Sequence, residues 1–179
     1  MSNLDDFKVQ RRAVVDKIGF DGFRSTYSTK IGKVTIRAQG DTVVGLELNS
    51  PDSAEGNFPV AETKVIRKAL EQLMEYLEGN RRSFDLGLGP EGSPFQSKVW
   101  AALLKIPFGQ SVSYRQLALI VGNPRATRAV ATACGRNPIA VFIPCHRVIY
   151  SNGGIGGYSG GVAIKKMLLD MEGVRLGRG

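Results

Sequence analysis

The sequence has few of the residues that form disulfides or bind metal ions, with two cysteines and one histidine among its 179 residues. Two cysteines make no disulfide framework, and neither stands at a metal-ligand spacing. Residues 1–133 contain neither residue type, so no zinc site of the cysteine–histidine kind is available there. We therefore predict no metal and no cofactor. Free thiols favour a reducing, intracellular compartment, which is the cytoplasm in a prokaryote or the nucleus in a eukaryote.

Long apolar runs are also missing. No segment has the length and composition of a membrane span, and the charged N-terminus lacks the pattern of a signal peptide. We therefore expect no contact with a membrane. Hydrophobic residues still make up 42% of the chain, which argues against global disorder. The length fits one large domain or two small ones that share an interface.

Acidic residues are scarce in the second half of the chain. Residues 1–90 carry 13 basic and 13 acidic side chains, whereas residues 91–179 carry 11 basic and 3 acidic side chains. The whole excess behind the net charge of +8 therefore lies in the second half. Such an asymmetry favours a polyanionic partner, with nucleic acid as the first candidate, although a charge that serves only solubility gives the same composition.

Periodicity in the first half predicts a small α+β domain over residues 1–88, a small antiparallel sheet backed by one helix. A helical repeat over residues 61–78 ends at Gly79. Residues 49–59 read as a polar loop, and residues 82–86 read as a further strand. Apolar-rich, partly alternating runs predict strands at residues 23–29, 32–38 and 42–48, with a hairpin turn at residues 39–41.

The second half, residues 89–179, predicts a mainly helical domain after a glycine-rich linker. Two capping boxes mark helix starts, Ser93 with Gln96 and Ser113 with Gln116. Pro94 occupies the first helical position after Ser93. The other predicted elements are a helix over residues 114–121, a helix opened by Asn123-Pro124 and running to about Cys134, a buried strand over residues 139–143, and a closing helix over residues 162–172 with Ile164, Met167, Leu168 and Met171 inward. The middle pair of helices has a helix-turn-helix pattern, which is weak evidence when taken alone.

Cys145 stands beside His146, the only histidine, at the end of the predicted buried strand. A thiolate is the attacking form of cysteine, and a nearby imidazole or cation activates it. Adjacent residues on a strand point to opposite faces, so His146 needs a sharp turn or a relaying water to reach the thiol. The alternative is a small buried cysteine without chemistry.

Short motifs follow one another through the second half around the run 143–148, Ile-Pro-Cys-His-Arg-Val. The others are Pro94-Phe95-Gln96, Val99-Trp100, Ile106-Pro107 with Gly109, Val112-Ser113-Tyr114, Arg128-Ala129-Val130, Gly135-Arg136-Asn137-Pro138, residues 156–161 and Glu172-Gly173-Val174. Together they resemble the motifs of the O6-alkylguanine-DNA alkyltransferase family, whereas the first half matches that family only in general plan. The resemblance implies a first domain on a ribonuclease H-like plan and a second, winged helix-turn-helix-like domain that carries the active-site cysteine.

The activity that the resemblance implies is DNA repair by one alkyl transfer per molecule. Cys145 would attack the carbon attached to O6 of an alkylated guanine, or to O4 of an alkylated thymine, and would keep the alkyl group as a stable thioether. His146 would accept the thiol proton through a bridging water, and Glu172 would orient the imidazole. The residues alone favour reading Glu172 as an ordinary solvated carboxylate.

The resemblance also implies roles for the residues around the base. Asn137 would brace the active-site turn, and Tyr114 would donate a proton as the guanine leaves. Read without the family, Lys165 is a lysine on a helix surface. The implied substrate-binding residues are Ser159, which faces O6, Tyr158 and Pro144, which wall the alkyl pocket, Val148, whose carbonyl reads the exocyclic amine, and Lys165 near the thiol.

The implied partner is double-stranded DNA that contains O6-alkylguanine. A stacked base is inaccessible to a thiol, so the nucleotide must be extruded, and Arg128 on the second helix of the pair would fill the gap. Small neighbours would let this helix enter the minor groove, unlike the usual major-groove docking. The other implied DNA-binding residues are Ala126, Thr127, Ala129, Ala131 and, at a wing-like tip, Ser151 and Asn152. We expect a monomer in solution, with cooperative binding on DNA left open.

Two other functions use the same residues. An alkyltransferase-like binding protein recognises the lesion without repairing it, but those relatives replace the motif cysteine, which is present here as Cys145. A thiol hydrolase for small substrates would use Cys145 and His146 but would not need Arg128 or the helix pair.

Overall fold

A four-stranded sheet forms the first part of the computed structural model, which describes residues 22–49 and 58–176. Strands β1 (Gly22–Thr29), β2 (Gly32–Gln39) and β3 (Thr42–Leu48) form an antiparallel meander. The three strands and their hairpin are therefore confirmed. The fourth strand, β4 (Gly87–Leu88), runs parallel to β3, so the sheet is not wholly antiparallel. Most of the predicted polar loop over residues 49–59 falls outside the described residues.

The strand predicted at residues 82–86 is wrong. These residues carry no strand, and β4 begins only at Gly87. The side chain of Gln72 explains the difference: its Nε2 donates to the Asp85 carbonyl at 3.1 Å, and its Oε1 accepts from the Asp85 amide at 2.8 Å. Both backbone groups of Asp85 are thus satisfied by one side chain rather than by a ladder.

Helix α1 (Lys64–Leu77) packs on one face of the sheet. The Thr63 hydroxyl caps its first turn by accepting from the Ile66 amide at 3.3 Å. After the last turn, Gly79 takes a φ of 82°, a left-handed conformation that favours glycine and ends the helix as predicted. The buried face of α1 meets the inner side chains of the sheet, so the periodicity of both elements is explained by one shared core.

The second part of the chain is mainly helical. Helices α2 (Pro94–Leu103) and α3 (Tyr114–Ile120) both begin with the capping boxes that the sequence predicted. A two-stranded parallel sheet joins β5 (Val112–Ser113) to β6 (Val148–Ile149). The short strand β6 thereby ties the segment after the active-site motif to the start of α3.

Helix α4 (Thr127–Gly135) begins later than predicted. The Ala126 amide closes a turn onto the Asn123 carbonyl at 3.0 Å, so Asn123-Pro124 opens this turn rather than the helix. Helix α4 packs against α3 and α2, and Trp100 of α2 donates its indole N–H to the Ala133 carbonyl at 2.9 Å. The helix pair is present, with a longer connection than the sequence suggested.

The closing helix is α5 (Val162–Met171), and its inward face differs from the prediction. Leu168 is buried and Ile164 and Met171 are partly buried, but Met167 is 39% exposed. Lys165 and Leu169 are buried instead. The apolar pattern failed here because a lysine whose ammonium group has internal acceptors can occupy a core position.

The segment before Cys145 is a tight turn rather than the predicted strand. Ile139 forms only a single parallel bridge, to Leu46 of β3, and Ala140 bridges back to Ile143. Val141 lies between them with a φ of 70°, a strained conformation for a β-branched residue. Leu46 donates to the Pro138 carbonyl at 2.9 Å, so backbone hydrogen bonds join the sheet of the first half to the active-site turn of the second.

The fold is a mixed α+β arrangement with one contiguous buried core that continues across the expected boundary after residue 88. Within the described residues, no helix is long and apolar enough to cross a membrane.

Candidate active site

Cys145 opens a single 3₁₀ turn, Cys145–Arg147, directly after Pro144. Its side chain is buried, and Asn137 Nδ2 donates to its Sγ at 3.1 Å. The same nitrogen donates to the Ile143 carbonyl at 2.8 Å, and Asn137 Oδ1 accepts from the Ile139 amide at 3.0 Å. One amide side chain therefore connects both sides of the turn to the sulfur.

The thiol of Cys145 needs a base. Burial raises the pKa of the Cys145 thiol, and the hydrogen bond from Asn137 and the charge of Lys165 lower it only in part. The resting sulfur therefore keeps its proton. Because the thiolate is the nucleophile, a proton acceptor must act when the sulfur attacks.

His146 is fully buried and is held from one side. Its Nε2 lies 2.9 Å from Glu172 Oε1, whereas its buried Nδ1 has no hydrogen-bond partner among the described residues. Burial lowers the pKa of His146 and outweighs the opposing effect of Glu172. The imidazole is thus neutral near pH 7, and Nδ1 is the ring nitrogen open to a further hydrogen bond.

Glu172 is the hub of a buried polar cluster and not a solvated carboxylate. Arg147 donates to it from Nε at 2.9 Å (to Oε2) and from its terminal nitrogen at 2.8 Å (to Oε1). The amide of Gly109 donates to Oε2 at 3.2 Å, and the hydroxyl of Tyr76 donates to Oε1 at 2.5 Å. Burial alone would raise the pKa of Glu172, but hydrogen bonds from His146 and Arg147 outweigh it and lower the pKa to about 2.

The sequence alone does not assign two of these partners, Arg147 and Tyr76, to Glu172. From the residues alone, Arg147 suits either a phosphate contact or an internal ion pair, and the structure pairs it with Glu172. The helical repeat over residues 61–78 predicts only a packing role for Tyr76, on the buried face of α1. No local signal marks either role, because both depend on contacts between residues far apart in the chain.

A cavity of about 380 Å³ opens beside Cys145. Burial raises the pKa of Tyr114 to about 12, so its hydroxyl keeps a proton that it can donate. Tyr150, which the sequence did not single out, lies with its ring centroid 5.5 Å from that of Tyr114 and is half exposed at the pocket. The residues that line the cavity are Tyr114, Ala131, Cys134, Gly135, Cys145, Tyr150, Gly157, Tyr158 and Ser159.

Three predicted substrate-binding residues need comment. Lys165 is buried rather than on a helix surface, and its Nζ donates to the Val148 carbonyl at 2.6 Å and to the Gly157 carbonyl at 3.2 Å. Burial lowers the pKa of Lys165 to about 8. One lone pair of the Val148 carbonyl is thereby occupied. Pro144 is absent from the lining of the Cys145 cavity in the described chain; it lines a separate groove of about 280 Å³ behind the turn, with Phe142.

Most of the predicted DNA-binding residues lie on α4 or directly before it. Arg128 and Ala129 are exposed on α4, and Ala126 and Thr127 are half buried at its start. Ala131, one turn further on, reaches the wall of the Cys145 cavity. Helix α4 therefore connects an exposed surface to the pocket.

A basic groove adjoins this surface. Arg125, Arg128 and Arg136 line an open groove of about 640 Å³ between α4 and the start of α2. Ser151 and Asn152 are exposed at the tip of a tight turn that closes with a 2.8 Å hydrogen bond from the Tyr150 amide to the Gly154 carbonyl. No group of three or more histidine, cysteine, aspartate or glutamate side chains that could hold a metal ion occurs in residues 22–49 and 58–176.

A family comparison matches residues 94–174 to the model described as 6-O-methylguanine DNA methyltransferase, DNA binding domain. The chain is 40% identical over 156 residues to the constitutive methylated-DNA–protein-cysteine methyltransferase of Bacillus subtilis, covering 84% of this chain and 94% of the relative. It is 50% identical over 113 residues to the methylated-DNA–protein-cysteine methyltransferase of Methanosarcina barkeri, covering 63% of this chain and 72% of the relative.

Comparison with solved structures shows that the fold is also similar to those of methyltransferases. The crystal structure of Mycobacterium tuberculosis OGT in complex with DNA superposes with a TM-score of 0.78 at 37% identity, covering 84% of this chain and 92% of that one. The crystal structure of the O6-methylguanine methyltransferase of the same organism gives a TM-score of 0.75 at 36% identity.

Proposed function

This chain belongs to the methylated-DNA–protein-cysteine methyltransferases, which repair DNA by transferring an alkyl group to their own cysteine, and we propose that Cys145 is the acceptor. DNA is its partner. The observation that carries the assignment of the acceptor is the cavity of about 380 Å³ that is lined by Cys145 and Tyr114 together. A base in that cavity has a nucleophile on one side and a proton donor on another.

The transfer begins with the thiol. Because the pKa of Cys145 is raised by burial, its proton must leave as the sulfur attacks. The open Nδ1 of neutral His146 is the acceptor, and a bridging water between Sγ and Nδ1 carries the proton. Glu172 stabilises the imidazolium that forms, since its carboxylate already bonds Nε2 at 2.9 Å.

The alkyl group then changes partner. A bond forms between Sγ of Cys145 and the alkyl carbon, the bond from that carbon to O6 breaks, and its electron pair stays with the guanine. Guanine leaves poorly as an anion, so Tyr114 donates its hydroxyl proton to the ring. The Tyr114 oxygen later recovers a proton from the protonated His146. The proton lost by the thiol thus ends on the base, and the product cysteine is a thioether.

The lesion reaches this pocket by extrusion from the duplex. An unpaired, everted nucleotide leaves a gap in the base stack, and the exposed Arg128 on α4 fills it. Ala126 and Ala129 keep the surface of the helix low enough for the minor groove. Arg125 and Arg136 flank Arg128 and suit contacts with phosphates.

The organisation of the chain follows from these roles. We assign residues 89–179 to DNA binding and catalysis in a winged helix-turn-helix-like unit, supported by the pair α3–α4 and the tip at Ser151. We assign residues 1–88 to support on a ribonuclease H-like plan, which the meander β1–β3 with α1 favours. A monomer acts in solution, and sedimentation of the protein with and without duplex tests both this and cooperativity on DNA.

Stoichiometry tests the function against its alternatives. The protein is incubated with an excess of duplex that contains O6-benzylguanine, and the repaired base is counted per protein molecule. Suicide transfer predicts one repaired base per protein and no further turnover. A thiol hydrolase would continue to turn over, and a lesion-binding protein would retain the duplex without releasing an unmodified base. Either result would overturn the proposal.

A further inference from the structure

Tyr76 brings a hydroxyl from the first half of the chain into the cluster around Glu172. It is fully buried on α1, donates to Glu172 Oε1 at 2.5 Å, and lies with its oxygen 3.3 Å from His146 Nε2. A phenylalanine would fill nearly the same volume, so packing alone does not account for the hydroxyl. The transfer described above uses His146 and Glu172 but assigns no task to this group.

The donors and acceptors in the cluster can be assigned one by one. Burial, and then the charge of Glu172, raise the pKa of Tyr76 far above its ordinary value, so the hydroxyl keeps its proton. That proton is directed to Glu172 Oε1, which leaves only lone pairs of the phenol oxygen to face the imidazole. The carboxylate oxygen is also an acceptor. Both groups that face Nε2 therefore require a hydrogen on that nitrogen.

This requirement selects one form of the neutral ring. A neutral imidazole carries one hydrogen, so a hydrogen on Nε2 leaves Nδ1 as a bare acceptor. The opposite tautomer would direct the Nε2 lone pair at a carboxylate and a phenol oxygen at the same time. Nδ1 is the buried nitrogen without a partner in the described chain, which is the nitrogen that the transfer requires as base.

The packing of Tyr76 holds its hydroxyl in place. Its ring lies 5.2 Å from that of Phe84 and 6.2 Å from that of Phe108, centroid to centroid, with the second contact edge to face. Phe108 also receives the guanidinium of Arg147 at 5.9 Å from its centroid. Helix α1 and these aromatic rings therefore hold the hydroxyl of Tyr76 against His146 and Glu172, and Tyr76 is not among the residues that line the Cys145 cavity.

We propose that Tyr76 is a positioning residue for His146, and that its hydroxyl acts with Glu172 to hold the hydrogen on Nε2 and keep Nδ1 free to receive the proton of Cys145. This inference rests on the proposed function, because it concerns the base of that reaction. It gives the first half of the chain a direct part in the chemistry.

The unmodified protein supplies the first test, since its single histidine gives one pair of ring ¹⁵N signals. Long-range ¹H–¹⁵N correlation near neutral pH is expected to show Nε2 protonated and Nδ1 bare. A protonated Nδ1 in the resting protein would overturn the proposal, and this readout does not depend on how any variant folds.

A matched pair of variants supplies the second test. Tyr76→Phe removes the hydroxyl, and Tyr27→Phe removes another tyrosine hydroxyl bonded to a carboxylate, that of Glu62 at 2.9 Å, outside the cluster. We expect Tyr76→Phe to slow single-turnover transfer from free O6-benzylguanine about tenfold, which corresponds to the loss of one charge-assisted hydrogen bond. Both ring ¹⁵N signals should also shift toward the averaged values of an imidazole that exchanges between its two tautomers. Tyr27→Phe should match the parent protein in both measurements.

The outcomes separate the two proposals. The positioning role requires that Tyr76→Phe both slow transfer and shift the ring ¹⁵N signals, and one effect without the other overturns it. A general structural effect would slow transfer without altering the imidazole. Transfer to Cys145 in the parent protein, measured in the same experiment, reports on the proposed function by itself. A parent protein that transfers normally beside an unaffected Tyr76→Phe would leave the function standing and remove this inference alone.

Discussion

The side-chain amide of Asn137 donates one hydrogen to the sulfur of Cys145, at 3.1 Å, and the other to the carbonyl of Ile143, at 2.8 Å. The nucleophile and the backbone that carries it are therefore oriented by the same group. A shift of the turn therefore alters the hydrogen bond to the sulfur, and a change at the sulfur alters the hydrogen bond to the turn.

Asn137→Ala is expected to slow transfer and to destabilise the protein. The variant removes a hydrogen bond that favours the thiolate and leaves the buried Ile139 amide without its partner, a loss of about 1–3 kcal/mol, whereas the Ile143 carbonyl keeps its hydrogen bond from the Cys145 amide. Urea unfolding and the single-turnover rate at several pH values measure the two effects. Asn80→Ala, at an exposed asparagine, is the control, and equal behaviour of the two variants would contradict the brace.

Arg128→Ala is expected to reduce transfer from duplex DNA much more than transfer from free O6-benzylguanine. The side chain acts on extrusion, and a free base needs none. Arg67→Ala removes the same charge from an exposed position on α1, where its ion pair with Glu62 adds little, and should leave both rates unchanged. Equal losses from duplex and free base in Arg128→Ala would exclude the extrusion role.

The free energy of unfolding is expected to decrease in two ranges as the pH is lowered. The pKa of His146 is lowered in the folded protein, so the unfolded chain binds a proton first and stability falls as the pH drops below 6.5. The pKa of the Glu172 carboxyl is about 2 in the folded protein, against an ordinary value of 4.5. Its contribution to the free energy of unfolding is therefore complete above pH 4.5 and is lost toward pH 2. Urea midpoints across this range measure both steps.

Glu172→Gln tests the second range directly. The change removes the carboxylate that pairs with the buried Arg147, and breaking such a pair is expected to destabilise the protein by about 3–5 kcal/mol near neutral pH. It should also remove the loss of stability between pH 4.5 and 2 that belongs to this group. Glu62→Gln on the surface should keep the parent curve, and an unchanged curve in Glu172→Gln would refute the assigned role.

Cys145→Ala is expected to abolish transfer while it retains binding to an alkylated duplex. The exposed basic residues and the cavity remain when the sulfur is removed, so binding measured by fluorescence anisotropy should stay close to that of the parent. Added salt should weaken both proteins alike, because phosphate contacts release counterions. A variant that still transfers the alkyl group would contradict the assignment of the acceptor.

Much of this fold is predictable from local signals. The capping boxes at Ser93 and Ser113, the hairpin between β2 and β3, and the end of α1 at Gly79 each depend on a few neighbouring residues, and each was predicted within a residue or two. Such patterns need no knowledge of the rest of the chain.

The remaining features depend on contacts between distant residues. The residues before the Val141 turn are bonded by Leu46 of β3, which donates to the Pro138 carbonyl and accepts from the Ala140 amide, and the strand at residues 82–86 is lost because Gln72 takes the backbone groups of Asp85. Tyr76, fully buried beside Glu172, is indistinguishable in sequence from any apolar residue of α1. Lys165 is buried because two backbone carbonyls accept from its ammonium group, which no periodicity reveals.

Peptide mass mapping after exposure to a duplex that contains O6-benzylguanine tests the central claim most directly. Cys134 and Cys145 line the same cavity, so the peptide map is needed to show which of the two carries the benzyl group. Burial raises the pKa of Cys134 to about 12, and it has no assigned base, so it should stay unmodified. The account predicts one benzyl group on the peptide that contains Cys145. An unmodified Cys145 after repair of the duplex, or a benzyl group on Cys134 instead, would contradict it.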